Sequence, residues 1–127
     1  MGNSPISWTS KKQNTVATST AEAEYVSTTL CAKKILWIRN ILKELFNFKK
    51  PIILYTDNLA SKTSIENGEL NNKLKHIRVS FYFNKDIIEK NLIKLEYKET
   101  DKMLADIFTK YTNGPKIKQF ANLVFKT

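Results

Sequence analysis

With 127 residues and 21 Lys and Arg against 12 Asp and Glu, the chain has the length of one domain and a formal charge of +9. Its apolar fraction of 42% and aromatic fraction of 11% exclude a disordered chain, and a lone cysteine, Cys31, excludes a disulfide framework or a cysteine-cluster zinc site. The run Ile35-Leu36-Trp37-Ile38 is far too short to cross a membrane.

In chain order, Ile6-Ser7-Trp8-Thr9-Ser10 alternates apolar and polar residues and predicts a short strand. The polar stretch from Lys11 to Thr18 reads as a connection. Ser19 with Glu22 three residues later forms a capping box that opens a helix running to about Leu45 or Phe46. Its apolar residues, Val26, Leu30, Ile35, Leu36, Ile38, Ile41, Leu42 and Leu45, recur at helical spacings. Lys49-Lys50-Pro51 ends this region, and Ile52-Ile53-Leu54-Tyr55 predicts a strand buried on both faces. A helix to about Glu66, capped by Asn67-Gly68, follows Asp57-Asn58. Ile77, Phe81, Ile87 and Ile88 mark a second long helix from about Leu74 to Lys90-Asn91, and Leu92 to Tyr97 is another strand. A short helix from Met103 to Lys110 and a last one from about Pro115 to Phe125 complete the chain. Strands alternating with helices predict an α/β layered domain with parallel pairs, and the scarcity of linkers predicts a single unit over residues 1–127.

The lysines fall in small scattered groups, so the positive balance is a weak pointer to a polyanionic partner. In so basic a chain the acidic residues are the informative minority. Glu24 lies early in the long helix, Asp57 directly after the second strand, and Asp106 in the short helix after the last strand. Carboxylates converging from separate elements beside strand ends suit Mg²⁺, which takes oxygen ligands, and a pair of such ions can drive phosphodiester hydrolysis. Plainer roles compete with this one. Glu22 is simplest as a capping residue, and it lies about 200° around the helix from Glu24. Glu24 can serve the helix dipole, Asp57 can be the N-cap of the next helix, and Asp106 can be a solvated helical charge. Trp8 and Trp37 read as core residues rather than base-stacking ones, and Cys31 as a small buried side chain.

The blocks Ser7-Trp8-Thr9-Ser10-Lys11-Lys12-Gln13, Ser19-Thr20-Ala21-Glu22-Ala23-Glu24-Tyr25, Ile53-Leu54-Tyr55-Thr56-Asp57-Asn58, Lys75-His76-Ile77 and Leu104-Ala105-Asp106-Ile107-Phe108-Thr109-Lys110 follow one another in an order that resembles the ribonuclease H region of copia-type retrotransposon polyproteins. The resemblance implies a ribonuclease H-like α/β fold, a mixed sheet flanked by helices. It also implies cleavage of the RNA strand of an RNA–DNA hybrid by two Mg²⁺ ions held on four carboxylates. Matched by motif, three of those carboxylates are Glu24, Asp57 and Asp106, with Lys75, His76 and Arg78 as candidate nucleic-acid contacts. The partners implied are the hybrid and the reverse transcriptase of the parent polyprotein. The setting expected is intracellular, cytoplasmic or nuclear, with no membrane.

The family's first catalytic Asp precedes the Ser-Trp block, where this sequence offers no acidic residue. The expectation is therefore an N-terminally truncated domain lacking the first two strands of a five-stranded sheet. Three carboxylates of four are expected to bind Mg²⁺ weakly, and an exposed strand edge invites self-association. The alternative to a hydrolase is a non-catalytic nucleic-acid-binding or interaction remnant on the same scaffold. The missing Asp favours the remnant for the isolated chain; the three retained carboxylates favour hydrolysis for the parent protein.

Overall fold

Helix α1, Thr20–Phe46, runs for 27 residues without a Gly or Pro to break it. The computed structural model describes residues 5–10, 20–68 and 77–124. The helix ends where Asn47 turns left-handed at φ 51°, and the Phe48 amide closes the end by donating to the Leu42 carbonyl at 3.3 Å. Next come β1, Ile52–Thr56, then α2, Leu59–Asn67, then α3, Arg78–Glu89, and β2, Ile93–Tyr97. Gly68, at φ 73°, terminates α2 by donating its amide to the carbonyls of Ile65 and Ser64. A left-handed residue after α3, Asn91 at φ 53°, turns the chain into β2.

The chain gathers into two compact units, Thr15–Lys98 and Met1–Asn14 with Glu99–Thr127. In the first, β1 and β2 pair in parallel with Ile52 opposite Ile93, Leu54 opposite Leu95 and Thr56 opposite Tyr97. A parallel pair needs a crossover, which α2 and α3 supply. One sheet face is covered: Leu54 and Leu95 pack with Tyr25 of α1, Ile65 of α2, and Ile77 and Phe81. Ala32 of α1 packs with Ile87 of α3 and Ile93 of β2 in an adjoining cluster. A polar contact joins α1 to α3 inside this core. The Thr29 hydroxyl donates to the Tyr25 carbonyl at 2.9 Å, and the fully buried Asn84 amide donates to the same carbonyl at 3.4 Å. Satisfied buried polar groups of this kind fix the register of two helices.

The second unit is built differently. Two short 3₁₀ turns, Thr100–Lys102 and Leu104–Phe108, lead to α4, Gly114–Val124.

Several expectations are corrected. Ile6 to Ser10 forms no strand, so among the described residues the sheet has two strands, both parallel, rather than a mixed set. Strand β1 is buried on one face only, because Ile53 and Tyr55 point to the side opposite Leu54 and are exposed, and Lys98 lies over the Tyr55 ring at 4.7 Å. The expected short helix from Met103 to Lys110 is 3₁₀ rather than α, and α3 begins at Arg78. Trp8 and Trp37 are 65% and 64% exposed rather than core, and Leu30, Ile41, Leu45 and Cys31 are likewise exposed. The capping box falls on Ser19, outside the described residues.

Candidate functional site

Asp57 stands at the carboxyl end of β1, the side where open α/β sheets place their chemistry. It is half-buried and it is not the cap of α2. That role belongs to Asn58, whose Oδ1 accepts from the Ser61 amide at 2.9 Å while its own amide donates to Thr56 Oγ1 at 3.2 Å. Glu24 is half-buried on the second turn of α1, in the same unit. Glu22, read from the sequence as a capping residue, is 5% exposed, and its partner in the capping box, Ser19, lies outside the described residues. The spacing of three between Glu22 and buried Tyr25 places both on the covered side of α1.

Asp106 belongs to the other unit, on the second 3₁₀ turn, and is 8% exposed. Each of its oxygens meets an ammonium group: Lys110 Nζ lies 3.0 Å from Oδ1 and Lys116 Nζ 3.2 Å from Oδ2. Lys116, itself largely buried, also donates to the Thr100 carbonyl at 2.9 Å and so ties α4 to both 3₁₀ turns. Burial by itself raises the Asp106 pKa, but the hydrogen bonds and charges of Lys110 and Lys116 outweigh it and hold the carboxyl below its ordinary value. Asp106 is thus an ionised structural anchor rather than the solvated helical charge of the plainer reading. Lys116, ten residues away in sequence, carries no local signal that would have revealed it as a partner.

Asp106 fits Mg²⁺ poorly. A dication at Asp106 would face two ammonium groups already in contact with its oxygens, a strongly repulsive neighbourhood. Among the described residues, no group of three or more His, Cys, Asp or Glu side chains is gathered to hold a metal ion. Of the candidate nucleic-acid contacts, Lys75 and His76 lie outside the described residues, and Arg78 is exposed at the first turn of α3. A cation there opposes the helix dipole.

Comparison with known proteins finds several relatives, among them the following three. The chain is 30% identical over 125 residues, 98% of its length, to the retrovirus-related Pol polyprotein from transposon RE1 of Arabidopsis thaliana. It is 32% identical over 111 residues, 87% of its length, to that from transposon RE2 of the same plant. It is 31% identical over 119 residues, 94% of its length, to that from transposon TNT 1-94 of Nicotiana tabacum. In each case it spans only 8 to 9% of the relative's length. No protein-family model matches the chain, and no solved structure does.

Proposed function

Since the chain is homologous to a segment of the retrovirus-related Pol polyproteins of copia-type transposons, we propose that it is a ribonuclease H-like domain of such a polyprotein, one that grips an RNA–DNA hybrid without cutting it. The parent reaction in this reading is hydrolysis of the RNA strand, and Glu24, Asp57 and Asp106 are the carboxylates descended from its metal site. The parallel pair with its helical crossover, and Asp57 at the carboxyl end of β1, support the scaffold half of the reading. The observation that carries the non-cutting half is the engagement of Asp106 by Lys110 and Lys116. A carboxylate held in that way contributes to the stability of its unit and is withdrawn from metal ligation. What this chain's own residues then offer a hybrid is charge: an excess of nine positive groups facing a polyanion.

Binding of a labelled RNA–DNA hybrid by the purified chain, measured without divalent ions across a salt series, tests this. The expected affinity falls about a hundred-fold between roughly 50 and 200 mM salt, the slope for about four neutralised phosphates. Arg78→Ala should flatten that slope by about one phosphate, and Asp57→Asn should leave it unchanged. Absence of binding at the lowest salt would remove the nucleic acid from the reading.

A further inference from the structure

Trp8 stands apart from the chemistry described so far. At 65% exposure it is a large apolar side chain on the surface of the unit formed by Met1–Asn14 and Glu99–Thr127. Its ring lies parallel to that of Phe108, with an interplanar angle of 7° and centroids 6.4 Å apart. Phe120 of α4 meets Phe108 edge-on from 5.5 Å, at 86°. An offset parallel stack occupies one face of the indole, so exposure on this scale leaves the other face open. The indole is held flat by a second ring that is itself braced by a third, and such a rigid π surface binds a further ring at little entropic cost.

The charge of the same unit says which kind of ring fits. By sequence the unit has seven lysines, of which Lys102, Lys110, Lys116 and Lys118 are among the described residues, against three carboxylates, Glu99, Asp101 and Asp106. Two of the three are already paired, Glu99 with Lys102 at 2.7 Å and Asp106 with Lys110 and Lys116. An apolar protein partner gains nothing from this net positive charge, whereas a nucleic-acid strand brings phosphates to it along with its bases. Bases inside a duplex are already stacked on one another, so only an unpaired base can reach the indole.

We propose that Trp8, backed by Phe108, is a stacking platform for an unpaired base in a single-stranded segment of nucleic acid, with the lysine excess of the unit holding the adjoining phosphates. The inference deepens the nucleic-acid reading of the preceding subsection and rests on it. It places the platform at a single-stranded stretch next to the hybrid.

The experiment compares a blunt RNA–DNA hybrid with the same hybrid carrying a single-stranded overhang, using the full chain, Trp8→Ala and Trp8→Tyr. The overhang should tighten binding about ten-fold. Trp8→Ala should abolish that gain while leaving the blunt hybrid unaffected, and Trp8→Tyr, which keeps a stacking ring, should retain most of it. Circular dichroism of each variant establishes that it is folded. In a Trp37→Phe background, the remaining emission should be quenched by the overhang hybrid and not by the blunt one. Equal binding of the overhang by Trp8→Ala and the unaltered chain overturns the platform while the hybrid reading survives. A Trp8 emission shift driven by protein concentration alone, with a matching rise in sedimentation coefficient, overturns it in favour of a second copy of the chain. Binding of the overhang strand without binding of blunt hybrid supports the platform and removes the hybrid; failure to bind either removes both.

Discussion

Phe81→Ala is expected to lower the unfolding free energy of the Thr15–Lys98 unit by about 3–5 kcal/mol, the usual cost of emptying a large aromatic site in a core. Phe81 is fully buried, packs with Ile65, Ile77 and Leu95, and meets Tyr25 edge-on at 5.7 Å. It therefore touches residues from α1, α2 and the sheet at once, and no neighbouring side chain can refill the space without leaving its own contacts. Domains of this size hold only about 5–15 kcal/mol, so the variant should lose a large share of its stability. Urea unfolding followed by far-ultraviolet circular dichroism measures the loss. Phe81→Leu, which keeps most of the volume, should cost about 1 kcal/mol. A loss below about 1 kcal/mol for the alanine variant would mean that Phe81 does not organise the core in this way.

The second large effect belongs to Asp106. Asp106→Ala leaves Lys116, largely buried, with the Thr100 carbonyl as its remaining described acceptor and no compensating charge. Stranding a buried ion costs about 3 kcal/mol, whereas the Lys110 contact, more than half exposed, is worth at most about 1 kcal/mol. A double-mutant cycle separates them. Asp106→Ala with Lys116→Met should recover most of the loss, and Asp106→Ala with Lys110→Met little of it. Millimolar Mg²⁺ should leave the melting temperature of the unaltered chain where it was. A rise in Tm with Mg²⁺ that Asp106→Ala abolishes would show the carboxylate binding metal instead of its lysines.

How far the sequence carried the fold depended on how local each determinant is. Helix α1 is legible because nothing between Thr20 and Phe46 interrupts it, and the end of α2 because Asn67-Gly68 specifies a left-handed cap. The same reasoning misplaced Trp37. Four consecutive apolar residues, Ile35 to Ile38, turn through about 300° of helix, so they cannot all face one layer, and the sequence does not say which one turns outward. The alternation of Ile6 to Ser10 describes a side-chain period, but a strand also needs a neighbour, and periodicity is silent about pairing. Strand β1 reads as a continuous apolar run, yet one of its faces meets no layer in its own unit beyond the lysine over Tyr55 among the contacts described.

The candidate site divides along the same line. Asp57 is legible because the strand, the carboxylate and the capping Asn58 are consecutive. The state of Asp106 is not, because Lys116 reaches it only after the chain has left the 3₁₀ turn and entered α4. Motif matching preserves the identity of a carboxylate, and identity alone does not say whether a metal ion or a lysine faces it.

The most direct measurement is hydrolysis. The purified 127-residue chain is incubated with an end-labelled RNA–DNA hybrid and Mg²⁺ under low-salt conditions in which the hybrid is bound, and the RNA strand is resolved by length. A chain whose Asp106 is engaged by Lys110 and Lys116 is expected to hold the hybrid and leave the RNA intact. Mg²⁺-dependent cutting of the RNA that disappears in Asp57→Asn, with binding unchanged, would contradict it.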